Sequence, residues 1–328
     1  MANVRELLSQ IGQRRMMIVG DVMLDEYIWG DVQRISPEAP VPIVNVQRRS
    51  YRPGGASNVA ASIAAMNSTP LLAGVIGQDH AADHLRLALQ RNHVQDVSGL
   101  IALADRPTTL KTRVIAHSQQ MLRCDTEVTT PLSAEAETEV LRWVLAHLDG
   151  VDGCIVSDYA KGVLSAHVCQ TLIRAARGRA IPVIIDPKGR DFQRYRGATV
   201  ITPNVHELSV ATAMPVATLA ELGHAVQHLL TLLDGAAVIV TRSADGMALY
   251  QAQSEPHYIP ALARTVYDVT GAGDTVVAML ALALASGATL ETAMELATVA
   301  ASVVIGKVGT ATVTVDEIQA ALDHEHVR

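Results

Sequence analysis

Aromatic residues are scarce in this sequence: they make up 3% of its 328 residues, and only one of them is Phe. The core must therefore be built mainly from Ala, Val, Leu and Ile, and 49% of the residues are hydrophobic. Such a core suits buried parallel strands and close-packed helices. The length by itself allows one α/β domain or two domains.

A basic surplus is also missing, since 26 Lys and Arg stand against 33 Asp and Glu, for a net charge of −7. Without spare cations to neutralise a phosphate backbone, the composition argues against a nucleic-acid-binding protein. The three cysteines, Cys124, Cys154 and Cys169, are odd in number and lack the spacing of metal ligands. This usage predicts reduced, mostly buried cysteines in a cytosolic protein.

No segment has the pattern of a signal peptide or of a membrane span. Residues 1–15 are polar and amphipathic, and the most apolar long segment, Val276–Ala288, is too short to cross a bilayer. We therefore expect no membrane partner and a cytoplasmic location. The P-loop motif G-x-x-x-x-G-K-[ST] is absent, and no G-x-G-x-x-G follows the first predicted strand, which disfavours a nicotinamide-dependent dehydrogenase.

Short apolar segments alternate with segments of helical period along most of the chain. The predicted strands are Met16–Val19, Leu71–Val75, Cys154–Val156, Val183–Ile185, Val200–Ile201 and Ala237–Val240, and the predicted helices are Ala56–Met66, Ala82–Gln90, Ala134–Leu148 and Leu219–Leu233. This alternation predicts one α/β domain over residues 1–328, a three-layer sandwich whose central, mainly parallel sheet has helices on both faces. Ligands of such sheets gather at the carboxyl ends of the strands.

Two segments, about 26–50 and 108–125, interrupt this pattern with strands of alternating side chains. In the second segment, Lys111 and Arg113 point to one side while Leu110 and Thr112 point to the other. A small sheet of these strands would be marginal alone, so we predict a lid over the crevice whose apolar face pairs with a second subunit in a homodimer. The alternative is an ordinary extension of the main sheet.

The segment Asp268–Asp274, of sequence DVTGAGD, combines a Gly-x-Gly turn with a carboxylate just before a predicted helix of about Thr275–Ser286. Gly271 and Gly273 allow backbone N–H groups to converge on an anion, and the helix dipole adds to the same positive potential. A carboxylate there would hold a hydroxyl group and accept its proton during phosphoryl transfer. Alternatively, Asp274 is only an N-cap.

Other polar groups follow predicted strands. Gly54 and Gly55 precede Asn58, whose amide suits sugar hydroxyls, and Asp21 and Asp25 could grip a polyol or serve as a cap residue and a solvated charge. Asn204 and Glu207 could hold hydrated Mg²⁺ beside phosphates or form a plain helix cap. Either Lys161 or Lys188 could neutralise a phosphate or be merely solvated. The segment Thr241–Gly246 predicts a tight turn near a nucleotide.

Three of these segments together, Pro53–Asn58, Asn204–Glu207 and Asp268–Asp274, resemble the motifs of ribokinase-like (PfkB) carbohydrate kinases in order and spacing over essentially the whole chain. Within that family, the closest resemblance is to kinases of D-glycero-β-D-manno-heptose 7-phosphate in lipopolysaccharide biosynthesis. That resemblance lies in the segments Gly20–Asp25, Arg34–Pro42, Ser157–Gly162 and Asp186–Gly189.

The resemblance implies a ribokinase-like fold and an enzyme that uses ATP and Mg²⁺ to phosphorylate the anomeric hydroxyl, yielding heptose 1,7-bisphosphate for ADP-heptose synthesis. Many relatives have a second, nucleotidyl-transferring domain with a His-x-Gly-His motif. The motif is absent here, so we expect a kinase without an adenylyltransferase domain. The alternatives are a PfkB-family kinase for another sugar or sugar phosphate, and a non-catalytic sugar-phosphate sensor.

The resemblance also implies a role for each candidate residue. Asp274 would be the catalytic base, with Gly271, Ala272 and Gly273 as the anion hole. The nucleotide and its Mg²⁺ would lie against Asn204, Glu207, Lys188, Thr241, Ser243 and Gly246, with Glu207 reaching the metal through water. The sugar would lie against Asp21, Asp25, Gly54, Gly55, Asn58 and Asp158, and its 7-phosphate against Arg113, Arg123 and Lys161. Asp268 and Thr270 lie where some family members bind a monovalent cation such as K⁺.

Overall fold

The computed structural model describes residues 2–117, 119–262 and 266–325. Within these residues, a central sheet has nine strands. In spatial order they are β13 (His257–Ile259), β12 (Met247–Tyr250), β11 (Ala237–Thr241), β10 (Val200–Ile201), β9 (Val183–Asp186), β8 (Gly153–Ser157), β1 (Arg15–Gly20), β4 (Thr69–Gly77) and β5 (Leu100–Leu103). Strand β12 pairs antiparallel with both β11 and β13, and all other neighbouring strands pair in parallel.

Helices cover both faces of this sheet. They are α1 (Ala2–Gln10), α2 (Ala56–Ala65), α3 (His80–Arg91), α4 (Ala134–Ala146), α5 (Ala166–Arg177), α6 (Val205–Thr212), α7 (Leu219–Leu233), α8 (Ala272–Ala285), α9 (Leu290–Val304) and α10 (Val315–Glu325). Because successive side chains of a strand point to opposite faces, Met16 and Ile18 of β1 join one core with α2, α8 and α9, while Met17 and Val19 join another with α4, α5 and α7. The predicted fold class is confirmed.

A second sheet of four strands stands apart from the central one. Its spatial order is β3 (Pro42–Gly55), β2 (Val22–Ile35), β6 (Leu110–Ala116) and β7 (Gln119–Thr126). All eight residues of β7 are exposed, whereas five of the six residues of β1 are buried. We call this four-stranded unit the lid sheet. It is not an extension of the central sheet, so that alternative is wrong. The treatment of residues 1–328 as one domain stays a prediction.

Helix α8 is buried on nearly all sides, from Asp274 through Ala283, as expected of an apolar helix inside a core. It begins at Ala272, three residues before the predicted start, so Gly271 is the N-cap residue and Asp274 lies in the first turn. The N-cap alternative for Asp274 is therefore wrong. No helix in the described part of the chain is long and apolar enough to cross a bilayer.

Candidate active site

A cavity of about 210 Å³ opens at the carboxyl ends of neighbouring parallel strands. The residues after β8 and β10, together with the last residues of β9 and β11, contribute Tyr159, Thr202, Asp186 and Thr241 to its wall. The opposite wall is the first part of α8, which contributes Gly273, Val276 and Val277. The remaining lining residues are Asp158, Lys188, Asn204 and Glu207.

Asp274 lies beside this cavity with only 3% of its surface exposed. Its Oδ1 atom accepts a hydrogen bond of 2.6 Å from the Tyr159 hydroxyl, and its Oδ2 atom accepts one of 2.7 Å from the Asn58 amide. Burial raises the pKa of Asp274 to about 6, while these two hydrogen bonds partly oppose the rise. A carboxylate with a pKa just below neutrality suits a general base.

The two glycine motifs meet at this carboxylate. Gly271 has φ 82°, in the left-handed region, and a Cβ at that position would lie 2.8 Å from the Asn58 amide nitrogen. Gly55 has φ 54°, and a Cβ on Gly54 would lie 2.8 Å from Oδ2 of Asp25. Gly271 therefore allows the close approach of α8 to α2, whereas Gly54 leaves room for Asp25 of the lid sheet.

Gly273 differs from Gly271, because a Cβ built on it would have no protein atom within 4 Å. It lines the cavity in the first turn of α8, where backbone N–H groups lack intrahelical acceptors. The open side of this turn can therefore receive an anion. Ala272 belongs to the same turn, although its N–H donates to the Val269 carbonyl at 3.2 Å.

Asp21 was predicted to bind sugar, but its carboxylate is hydrogen-bonded to the protein backbone instead. Its two oxygens accept hydrogen bonds from the backbone N–H groups of Tyr159, Lys161 and Val163, at 2.8, 3.0 and 3.3 Å. Asp21 therefore holds the loop after β8. Burial, and next the nearby charge of Asp158, raise the pKa of Asp21.

Asp158, another predicted sugar ligand, is similarly engaged, although it lines the cavity. Its Oδ2 atom accepts a hydrogen bond from the Tyr195 hydroxyl at 2.6 Å and forms an ion pair with the Arg194 guanidinium at 2.7 Å. Its Oδ1 atom accepts a hydrogen bond from the N–H group of Ala160 at 2.7 Å. These partners leave its carboxylate little capacity for a ligand.

Asp25 lies in the lid sheet, and its Oδ1 atom is 2.5 Å from the Arg113 guanidinium. Burial raises its pKa, and Arg113 opposes that rise. Arg113 faces Arg123 across β6 and β7, so their side chains share one face of the lid sheet.

The three predicted phosphate-binding cations are not alone on this side of the molecule. A chain of ion pairs runs from Lys161 through Glu127, Lys111 and Asp125 to Arg123, with separations of 2.8 to 3.1 Å. We call these five residues the charged chain. Lys111 and the two acids were not predicted as site residues, and the alternation of β6 is the one signal that placed Lys111 beside Arg113.

On the other side of the cavity, Asn204 and Glu207 form a complete capping box at the start of α6. The second carboxylate oxygen of Glu207 pairs with Lys188 at 2.7 Å. Asn204 and Glu207 therefore cap the helix and also line the cavity. Ser243 and Gly246 of the predicted nucleotide turn do not belong to the lining, whereas Thr241 does.

Asp186 is a lining carboxylate that we did not single out from the sequence, although it belongs to the segment Asp186–Gly189. Burial raises its pKa well above the ordinary value, and the charges of Asp274 and Glu207 act in the same direction. In the residues described, no three His, Cys, Asp or Glu side chains are grouped as protein ligands of a metal ion. Oxygen donors from Asp186, Asn204 and Glu207 suit Mg²⁺, which keeps most of its waters.

Asp268 braces the turn that leads into α8. Its two oxygens accept hydrogen bonds from the N–H groups of Thr270 at 2.9 Å and Gly309 at 2.8 Å. Partial burial acts to raise its pKa, but these hydrogen bonds hold it below the usual value. A monovalent cation at Asp268 and Thr270 stays a prediction.

Comparison with known proteins places these features in a family. A family model described as pfkB family carbohydrate kinase matches residues 13–317. The bifunctional protein HldE of Magnetococcus marinus is 46% identical over 94% of this chain and 64% of its own length, and that of Rhodospirillum rubrum is 45% identical over 98% and 65%. This chain thus spans about two thirds of the length of these relatives.

Among solved structures, phosphofructokinase-2 from Escherichia coli in complex with substrates and products matches with a TM-score of 0.77 at 19% identity, covering 95% of this chain and 99% of the other. Ribokinase from Arabidopsis thaliana complexed with ribose and ATP matches with a TM-score of 0.74 at 20% identity, covering 94% and 99%. At this identity the similarity establishes the ribokinase-like fold. The family resemblance predicted from the three motifs is confirmed.

Proposed function

This chain belongs to the pfkB family of carbohydrate kinases, and we propose that it phosphorylates the anomeric hydroxyl of D-glycero-β-D-manno-heptose 7-phosphate with ATP. The product would be the 1,7-bisphosphate, an intermediate of ADP-heptose and lipopolysaccharide core biosynthesis. The observation that carries this proposal is the carboxylate of Asp274, which is buried in the first turn of α8 beside a polar cavity.

In this proposal, Asp274 accepts the proton of the acceptor hydroxyl. The transferred phosphoryl group lies over the first turn of α8, where Gly273 leaves room and the free N–H groups offset the charge that develops on its oxygens. Asp274 needs little basicity, because in a loose transition state the hydroxyl loses its proton late. Its main contribution is to orient the attacking oxygen.

The nucleotide side of the cavity would be formed by Thr241, Asn204, Glu207 and Lys188. Mg²⁺ held there would neutralise charge on the phosphates, and Asn204, Glu207 and Asp186 supply oxygen atoms suited to it. Lys188 would leave its pairing with Glu207 to contact a phosphate. We extend the proposal to K⁺ at Asp268 and Thr270.

The sugar side would be formed by Asp25, Asn58 and the Gly54–Gly55 turn, with the sugar phosphate against the charged chain and Arg113. Asp21 and Asp158 act indirectly, through the loop they hold. The choice of heptose 7-phosphate is supported by three of the resembling segments, 20–25, 157–162 and 186–189, which contribute Asp25, Lys161 and Lys188 to these two sides.

We further propose a cytoplasmic homodimer that pairs through the lid sheet. Strand register puts Ile28, Val114 and Leu122 on one face of that sheet, and the Leu122 side chain is 48% exposed. Burial of such a face would stabilise association.

A panel of acceptors tests the proposed substrate. We expect ADP release with D-glycero-β-D-manno-heptose 7-phosphate, and a heptose bisphosphate by mass spectrometry, in large excess over fructose 1-phosphate, fructose 6-phosphate and ribose. Turnover of hexose phosphates alone would replace the heptose assignment with another pfkB-family activity. Sugar-phosphate binding without any turnover would indicate a sensor.

A further inference from the structure

The loop that follows β8 reaches the proposed base directly. Tyr159 of this loop donates its hydroxyl hydrogen to Oδ1 of Asp274 at 2.6 Å, while Asn58 of α2 donates to Oδ2 at 2.7 Å. Each carboxylate oxygen therefore has one donor, and the plane of the carboxylate is fixed from two sides. Each oxygen keeps a further lone pair for an acceptor hydroxyl.

The loop itself is held in a specific conformation. Asp21 accepts hydrogen bonds from three backbone N–H groups on it, those of Tyr159, Lys161 and Val163. Ala160 has φ 55°, a left-handed conformation that costs a non-glycine residue free energy. Asp21 is only 2% exposed, and the hydrogen bonds that its carboxylate accepts from the loop offset the free-energy cost of the left-handed conformation. The loop that carries Tyr159 is therefore held in one conformation by the protein.

The direction of the hydrogen bond is also determined. Burial raises the pKa of Tyr159 well above its ordinary value, and the charge of Asp274 raises it further, so the phenol keeps its proton and is the donor. Besides burial, the other groups that act on the pKa of Asp274 are Asn58 from α2 and Asp25 from β2, while the charge of Asp274 raises the pKa of Asp186 at the end of β9. Burial and the charge of Asp25 disfavour the ionised carboxylate of Asp274, and the two hydrogen-bond donors favour it.

We propose that Tyr159 is a positioning residue for phosphoryl transfer: its hydroxyl orients the carboxylate of Asp274, and Asp21 holds the loop that carries Tyr159. The proposal rests on the proposed function in taking Asp274 as the base. Although Tyr159 also lines the cavity, it exerts this role through Asp274. It acts by keeping the Asp274 oxygens aimed at the acceptor.

Titration of Asp274 by NMR tests the contact without any sugar. The full-length chain is labelled with ¹³C at Asp carboxyl groups, and the signal of Asp274 is the one missing from Asp274→Asn. In the wild type its midpoint should be about 6. Tyr159→Phe removes a donor to the charged form, so the midpoint should rise by about one pH unit.

Tyr195→Phe is the matched control. It removes a phenol that donates to another carboxylate, Asp158, at the same distance of 2.6 Å. The Asp274 midpoint should stay at the wild-type value in this variant, and its melting temperature should show how far loss of a buried phenol by itself loosens the fold.

Kinetics then tests the consequence. In Tyr159→Phe we expect kcat to fall by roughly ten- to a hundred-fold because the base is misaligned, with little change in the KM for ATP. The acidic limb of the pH profile of kcat/KM should move to higher pH together with the NMR midpoint.

A wild-type midpoint or a wild-type kcat in Tyr159→Phe overturns the proposal, and so does an equal shift of the Asp274 midpoint in Tyr195→Phe. A wild-type chain that phosphorylates no sugar would instead refute the proposed function, and the NMR titration would still decide whether Tyr159 holds Asp274.

Discussion

The environment of Asp274 combines features that favour the reaction with features that oppose folding. The side chain is buried, and its pKa is raised from 3.8 to about 6. The folded state therefore binds a proton more tightly than the unfolded state, so stability declines as pH rises from about 4 to 6. Above pH 6 the ionised carboxylate costs the fold about 3 kcal/mol.

Asp274→Asn should separate these two effects. We expect turnover to fall by roughly 10²–10⁴-fold, because the general base is lost, while ATP still binds. The variant should gain thermal stability relative to the wild type at pH 8, and about half as much at pH 5, where the wild-type carboxyl is mostly protonated.

Steady-state kinetics and melting curves at the two pH values measure both effects. Near-normal turnover would contradict the role assigned to Asp274. A stability gain that does not grow with pH would show that the pKa of Asp274 is not raised in the folded state.

At the level of elements, the site depends on the first turn of α8, which is pressed against α2. The two glycines of this turn serve different ends. Gly271 takes a left-handed conformation against the amide of Asn58, whereas Gly273 has empty space beside it and lines the cavity. Gly271 is therefore needed for packing, and we propose that Gly273 leaves room for the ligand.

A pair of alanine substitutions should distinguish these roles. Gly271→Ala should destabilise the protein by about 1–2 kcal/mol and displace Asn58 from Asp274. Gly273→Ala should melt like the wild type, yet it should bind ATP poorly and turn over slowly, since its methyl group would occupy the space that we propose for the phosphates. Calorimetry for unfolding and for ATP binding provides the comparison, and equal loss of stability in both variants would argue against this division.

Across the whole molecule, two hydrophobic cores sandwich the central sheet while the lid sheet lies outside both layers. The strand β7 is exposed along its full length, which is unusual for a strand that carries Leu122 and Met121. Leu122 shares one face of the lid sheet with Ile28 and Val114, and we propose that this face is the interaction site of the homodimer. Pairing of the lid sheets of two subunits would cover this apolar face and would hold the charged chain close to the cavity.

Light scattering at micromolar concentration should therefore find a dimer. Leu122→Glu should shift the population toward monomers, because a charge would be buried at the interface. Leu87→Glu on α3 is the matched control, since Leu87 is 49% exposed and Leu122 is 48% exposed, and it should leave the dimer intact. A wild-type monomer, or equal dissociation of both variants, would remove the proposed interface.

The sequence by itself determined the alternation of strands and helices, the lid strands and the Asp268–Asp274 turn. These signals are local: side-chain period, glycine placement and residue type over a few positions are enough to recognise them. The start of α8 was missed by three residues because the glycines in its first turn do not look helical.

Only the tertiary structure decided which polar groups meet. Asp21 and Asp25 look alike in sequence, but Asp21 binds the backbone of the loop after β8 while Asp25 pairs with Arg113. The contact of Tyr159 with Asp274 joins residues 115 positions apart. Such contacts depend on how the strands are ordered in the sheet and how α8 packs against α2, and no local pattern encodes that order.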